Sequence, residues 1–374
     1  MRTMRRVSHL RRPYRGLLII MTALIVFVTA NCGSVPQQQN SRLSAALELV
    51  PADGQQIFFT DWSLIKEYED VTDLTSESDL QHRIDFMRSL TEDQAAFILY
   101  EGIQYIQEHA NVWSWDSTDI DWEITFTGQD DMVGHVIKLR EDFDMAPVVA
   151  HFVERGFEEI DYHGIPIYSH ELDFTADWFQ VRVFDILNTS VLSDQNLLVL
   201  SASQDVVQQT LDVHLDSTPS AAEQPGFQHL AQQLEPVATA FLEEDVCSSF
   251  PMMSPIPSEV QDESNEEEFA MELQQPQGLA IGYRYEDMQP IGIAVLHYDD
   301  ASQAEADLEG RRLIATEGIS LVAREPYRDI LFTVEDTTVE DQNIVFSLRP
   351  FNDQPMRLVN MVLQRDVGFA ACSQ

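Results

Sequence analysis

The stretch Gly134–Gly156, GHVIKLREDFDMAPVVAHFVERG, passes from a strand pattern to a helix pattern within a single unit. Val136 to Leu139 is a short apolar run suited to a buried strand. Asp144 then precedes Met145, Val148, Val149, Phe152 and Val153, a spacing of i, i+3, i+4, i+7, i+8 that turns one helical face to a core. Pro147 falls in the first turn, where its missing N–H costs nothing, and Gly156 supplies the stop. Residues 157–162 and 165–168 continue as a hairpin around His163-Gly164.

A second stretch, Gly292–Gly318, GIAVLHYDDASQAEADLEGRRLIATEG, has the same order. It reads as a strand, an Asp-rich turn, a helix capped by Ser302 and a glycine stop, followed by a hairpin with strands at 330–334 and 344–348. The two stretches share architecture and little identity, which makes a weak internal repeat. They predict an α+β protein of two repeated strand-helix-hairpin halves, with helices on one face of mixed or antiparallel sheets.

Outward from these units, residues 43–50 predict a short helix and 57–59 a buried strand. Thr91-Glu92-Asp93-Gln94 has the spacing of a capping box and predicts a helix over 92–109. A strand at 197–200 leads through Ser203 into a helix with Val206, Val207, Thr210, Leu211 and Leu215 on one side, followed by a helix at 227–234 and a strand at 238–242. Three prolines between Pro251 and Pro257, then seven carboxylates from Glu259 to Glu272, break the pattern and predict an exposed acidic loop. The chain thus divides into a signal segment (1–32), a flexible tether (33–44), a first α+β region (45–250), the acidic loop (251–277) and a second α+β region (278–374).

The signal segment is read from its charges. Arg2, Arg5, Arg6, Arg11, Arg12 and Arg15 precede an apolar run from Leu17 to Ala30, which is 30 − 17 + 1 = 14 residues long. A bilayer-crossing helix needs about 20, so the run predicts an export signal that is cleaved. Val28-Thr29-Ala30 suits ordinary cleavage before Asn31. Thr29-Ala30-Asn31-Cys32 instead resembles the lipobox of bacterial lipoproteins, with Asn31 where Gly, Ala or Ser is usual. The polar spacer from Gly33 to Ser41 favours the second route, with Cys32 carrying the lipid.

Charge and cysteine count point the same way. The chain carries 63 acidic and 22 basic side chains, and removal of the six leader arginines leaves 16 − 63 = −47. Such a surface lacks the clustered cations that grip phosphate, which excludes nucleic acid as a partner. Adaptation to salt and recognition of a cationic partner both use surfaces of this kind. Of the three cysteines, Cys32, Cys247 and Cys372, lipid on the first leaves the other two as a possible disulfide in an oxidising compartment, with two separate buried thiols as the alternative.

Four short motifs carry a family resemblance: Leu49-Val50-Pro51-Ala52-Asp53, Phe59-Thr60-Asp61-Trp62, Asp119-Ile120-Asp121-Trp122-Glu123, and Tyr162-His163-Gly164-Ile165-Pro166-Ile167-Tyr168. Together they look like landmarks of uncharacterised exported bacterial lipoproteins of unknown function. The resemblance implies a place on the outer face of the cell membrane, attachment through an N-terminal lipid, and no established activity.

Candidate chemistry is sparse, and no cofactor is implied. Ser63 and Lys66 have the S-x-x-K spacing in which a lysine one helical turn on deprotonates a serine, the basis of an alternative reading as a serine hydrolase. Neither Ser-Asp-Asn nor Lys-Thr-Gly accompanies it. Asp119, Asp121 and Glu123 alternate, and on a strand they would share a face where calcium could bridge them; solvated acidic surface is the simpler expectation. His163 and His170 lack a third spaced metal ligand. Trp113, Trp115 and Trp122 suit core packing better than a sugar-stacking platform. The expected role is a binding or assembly surface for an envelope protein or ligand.

Overall fold

The structure is a computed structural model in which residues 41–92, 106–128, 132–172, 186–249, 273–287 and 289–372 are described. The first part of the chain forms α1 (Arg42–Leu47), β1 (Ile57–Asp61), α2 (Trp62–Tyr68), α3 (Leu80–Glu92), α4 (Ile106–Trp113), β2 (Ile120–Thr127) and β3 (Val133–Leu139). Then follow α5 (Ala146–Glu154), β4 (Glu158–Tyr162), β5 (Ile165–Ser169), β6 (Asn188–Leu192), β7 (Leu197–Ser201), α6 (Gln204–His214), α7 (Pro225–Leu234), β8 (Thr239–Glu243) and α8 (Val246–Ser249). The last part holds β9 (Gly278–Glu286), β10 (Gln289–His297), α9 (Ala301–Glu317), α10 (Tyr327–Ile330), β11 (Phe332–Glu340), β12 (Asn343–Pro350) and α11 (Met356–Leu363).

The described strands make one antiparallel sheet of 12, in the order β11-β12-β10-β9-β8-β1-β2-β3-β7-β6-β5-β4. This order contains the same arrangement twice. β1-β2-β3-β7-β6 on one side matches β8-β9-β10-β12-β11 on the other, and β1 pairs antiparallel with β8 between them. Helices follow the same rule: α1 and α7 precede β1 and β8, α2 and α8 follow them, and α5 and α9 come after β3 and β10. Gly134–Gly156 and Gly292–Gly318 fall on the matching pair β3-α5 and β10-α9. The second copy thus starts at α7, and the hairpin β4-β5 is an addition to the first; the late hairpin β11-β12 corresponds to β6-β7 and not, as expected, to the hairpin around His163-Gly164.

The class is α+β, but helices cover both faces of the sheet rather than one. Alternation along the strands explains this. Leu198, Leu200, Phe241, Leu279, Ile281 and Leu296 join one core with helices α2 to α5 and α9 to α11. Leu197, Val199, Ala240, Leu242, Ala280 and Val295 join a second core with α1, α6 and α7. Central strands such as β7 and β8 are buried at every residue, so their continuous apolar runs require cover on both sides. Each large apolar side chain so buried contributes about 1.5–3 kcal/mol.

Local signals set the helix ends with two corrections. Gly156 adopts φ +79°, the left-handed conformation that ends α5 just past its cap Arg155. Asp300, not Ser302, caps α9: its Oδ1 accepts from the backbone N–H groups of Ser302 at 2.9 Å and Gln303 at 3.1 Å. Thr91 and Glu92 lie in α3, which opens at Leu80, so they do not open a helix, while Ile106 to His109 lie in α4. The remainder of that expected helix, and residues 250–272 of the expected acidic loop, lie outside the described residues.

Candidate functional site

The motif residues at the end of β1 and the start of β2 converge on one charged cluster. Asp61 ends β1 and caps α2, its Oδ1 accepting from the Leu64 N–H at 2.9 Å. Arg42 of α1 donates to the same carboxylate at 2.6 Å, and its other terminal nitrogen lies 3.5 Å from Asp121. Burial pushes the Asp61 carboxyl above its usual range, with Arg42 opposing the shift. The cap orients α2 so that Ser63 and Lys66 leave it toward the segment that enters β2.

They do not act on each other. Ser63 Oγ donates to Asp121, whereas Lys66 Nζ, buried one turn on, donates to the backbone carbonyls of Thr118 and Ile120. Burial pushes Lys66 down to about 8, against the pull of Asp119, Asp121 and Asp116. Among the described residues, no hydrogen bond joins serine to lysine. The S-x-x-K spacing therefore serves packing: Lys66 ties α2 to the start of β2, and the arrangement supplies no activated serine.

Asp116 and Asp119 complete the cluster. Asp116 Oδ1 accepts from the Thr118 N–H at 2.7 Å and from its hydroxyl at 2.5 Å, while Oδ2 pairs with Arg83 of α3. That pair is buried, with side-chain exposures of 3 % and 0 %. Burial raises the Asp116 carboxyl, with the Thr118 bonds and Arg83 opposing. Asp119 accepts from the N–H groups of Asp116 and Ser76, each at 3.2 Å, and from Arg140 Nε at 3.3 Å.

Calcium finds no cage in this arrangement. Asp119 ends a short 3₁₀ turn, and a register shift between Ile120 and Trp122 separates it from the regular alternation that places Glu123 within β2. Arg140 and two backbone N–H groups engage the oxygens of Asp119, while Ser63 and Arg42 engage Asp121. Among the described residues, no group of three His, Cys, Asp or Glu side chains is placed to hold a metal ion. His163 sits in the β4-β5 turn at φ +54°, and the His170 ring packs 4.9 Å from Phe157. Trp113, Trp115 and Trp122 are all buried, so none forms a stacking platform.

Arg83 was not singled out from sequence, although a signal exists. With Phe86, Met87 and Leu90 it occupies an i, i+3, i+4, i+7 stripe, and an arginine on an apolar face requires a buried carboxylate. Beside this cluster, α2 and α3 flank a cleft of about 610 Å³ lined by residues including Glu69, Asp70, Asp73, His82 and Asp85. Its carboxylates disfavour anions. Far from this region in sequence, Cys247 and Cys372 form a disulfide with Cα atoms 5.4 Å apart. Cys32 lies outside the described residues.

A family model described as "Protein of unknown function (DUF3352)" matches residues 135–295. Among solved structures, "Structure of crystal form I of TP0453" is similar at 10% identity, covering 86% of this chain and 97% of that chain with a TM-score of 0.42. No curated protein matches the chain.

Proposed function

We propose that this chain is exported across a bacterial cell membrane, anchored at its outer face by lipid on Cys32, and active there as a binding or assembly surface. The observation that carries the reading is the N-terminal order: an arginine cluster, a 14-residue apolar run, Cys32 and a polar spacer up to the first described helix. The Cys247–Cys372 disulfide supports it, because such bonds persist in oxidising compartments and this one leaves Cys32 as the remaining cysteine. The charged cluster supports a non-catalytic role, since Ser63 is held by Asp121 and Lys66 by the carbonyls of Thr118 and Ile120. A surface of net charge −47, counted as 16 − 63 after the leader, suits a cationic envelope component.

The test is fractionation of cells expressing the chain and its Cys32→Ala variant. The wild-type protein should partition with detergent and carry a blocked, lipid-modified N-terminus at Cys32, and the variant should leave the detergent phase. A wild-type mature chain beginning at Asn31, or unchanged partitioning of the variant, overturns the anchor.

A further inference from the structure

The two copies of the fold close their strand-pair turns in different ways. In the first copy, Asn196 lies in the turn between β6 and β7, and its carbonyl accepts from the Leu139 N–H at the end of β3, at 2.9 Å. The Asn196 side-chain amide then donates to two backbone carbonyls, Arg140 at 2.8 Å and Glu141 at 2.9 Å. In the second copy, Gln342 lies in the matching turn between β11 and β12, and its carbonyl accepts from the Tyr298 N–H just past β10, at 3.0 Å. Its side-chain amide faces two imidazoles instead: His229 Nδ1 of α7 at 3.2 Å and His297 Nε2 of β10 at 3.4 Å.

Backbone carbonyls do not titrate, and imidazoles do. The amide nitrogen of Gln342 is a donor only, so each ring nitrogen that faces it must offer a lone pair. His297 Nδ1 lies 2.8 Å from Asn343 Oδ1, an acceptor, which places the ring proton on Nδ1 and leaves Nε2 bare. The network closes when both rings are neutral. One added proton sets donor against donor. If Gln342 then turned its carbonyl to the charged ring, that oxygen would also face the lone pair of the neutral one. Two added protons place cations on rings whose centroids are 5.1 Å apart.

We propose that His229, His297 and Gln342 form a proton-sensitive latch, which pins the β11-β12 turn to α7 and opens when the imidazoles are protonated. The surroundings make the latch responsive. His297 is buried, and burial with the neighbouring His229 holds it below the ordinary imidazole range, against the Asn343 bond and Asp299. Glu340 at the end of β11 and Asp341 directly precede Gln342 in the turn, and the Glu243 backbone of β8 shares the surroundings of Gly278 with His297. Opening would release the turn of β11, the strand at one edge of the sheet.

Hydrogen exchange of the exported chain followed by NMR tests this, with amide protection corrected for the intrinsic pH dependence of exchange. The Tyr298 amide reports on the latch, and the Leu139 amide on the matching turn that lacks imidazoles. Between about pH 8 and about pH 5, protection at Tyr298 should fall by about tenfold or more while that at Leu139 stays level. The double variant His229→Gln with His297→Gln should show a flat Tyr298 profile. Equal behaviour of the two amides in the wild-type protein overturns the latch, as does a pH-dependent Tyr298 in a folded double variant. If the double variant does not fold, the wild-type comparison decides by itself.

Discussion

The rings of Phe58 and Phe241 meet at a centroid distance of 5.1 Å where β1 crosses to β8. The two residues are direct register partners on the only strand pairing that joins the two copies among the described residues, so one aromatic contact belongs to both. Phe241 is buried, and its removal leaves a cavity at the centre of the sheet. Phe241→Ala should cost about 3–5 kcal/mol, read from urea unfolding. Both copies should unfold together in the wild-type protein. Two separate wild-type transitions would show that the shared strand pairing does not couple them.

Gly134 faces the side chain of its register partner Phe126, and a Cβ built there would stand 2.3 Å from that ring. Gly134→Ala should destabilise by about 1–3 kcal/mol through overpacking. The comparison is Gly156→Ala, where nothing lies within 4 Å but φ is +79°, so the cost there is backbone strain alone. Thermal unfolding of both variants separates the two mechanisms. An unchanged melting temperature for Gly134→Ala would mean that the Phe126 ring moves aside freely.

Lys66 predicts a window of pH dependence. Folded, it gives up its proton near 8, whereas the ordinary value for the unfolded chain is 10.5. Between these values the unfolded chain holds more protons, so stability rises with pH across the window. Lys66→Met should abolish that rise. At neutral pH it leaves the carbonyls of Thr118 and Ile120 without their donor, a loss of about 1–3 kcal/mol, set against relief of the cost of burying the charge. Denaturant midpoints at neutral and alkaline pH check both effects, and a variant that keeps the alkaline rise would assign it elsewhere.

The Cys247–Cys372 bond closes a loop with a sequence separation of 125. Chain-entropy arguments assign such a closure about 5 kcal/mol as an upper figure. Reduction should lower the melting temperature clearly, and the loss should concentrate on the C-terminal segment. Arg311 also holds that segment through the carbonyls of Phe369 at 3.0 Å and Ala371 at 2.6 Å. Calorimetry with and without reductant measures the effect. Equal melting temperatures would show that the Arg311 contacts suffice.

Periodicity alone determined the units of this protein. The run from Val136 to Leu139, the stripe of Met145, Val148, Val149 and Phe152 and the stop at Gly156 are local events, set by strand burial, helical spacing and left-handed backbone, so they could be read without the rest of the chain; Val153, expected on the same face, is exposed. The parallel between Gly134–Gly156 and Gly292–Gly318 was legible for the same reason. What neighbours each unit was decided only in the tertiary structure. That β1 meets β8, that helices cover both faces, and that Lys66 turns from Ser63 to the carbonyls of Thr118 and Ile120 depend on contacts between residues distant in sequence. The partners of Arg83 and of Gln342 were equally hidden, since a buried polar group announces that it needs a partner but not which one. Spacing of three residues says that two side chains share a helical face; desolvation and the nearest acceptor decide where each one points.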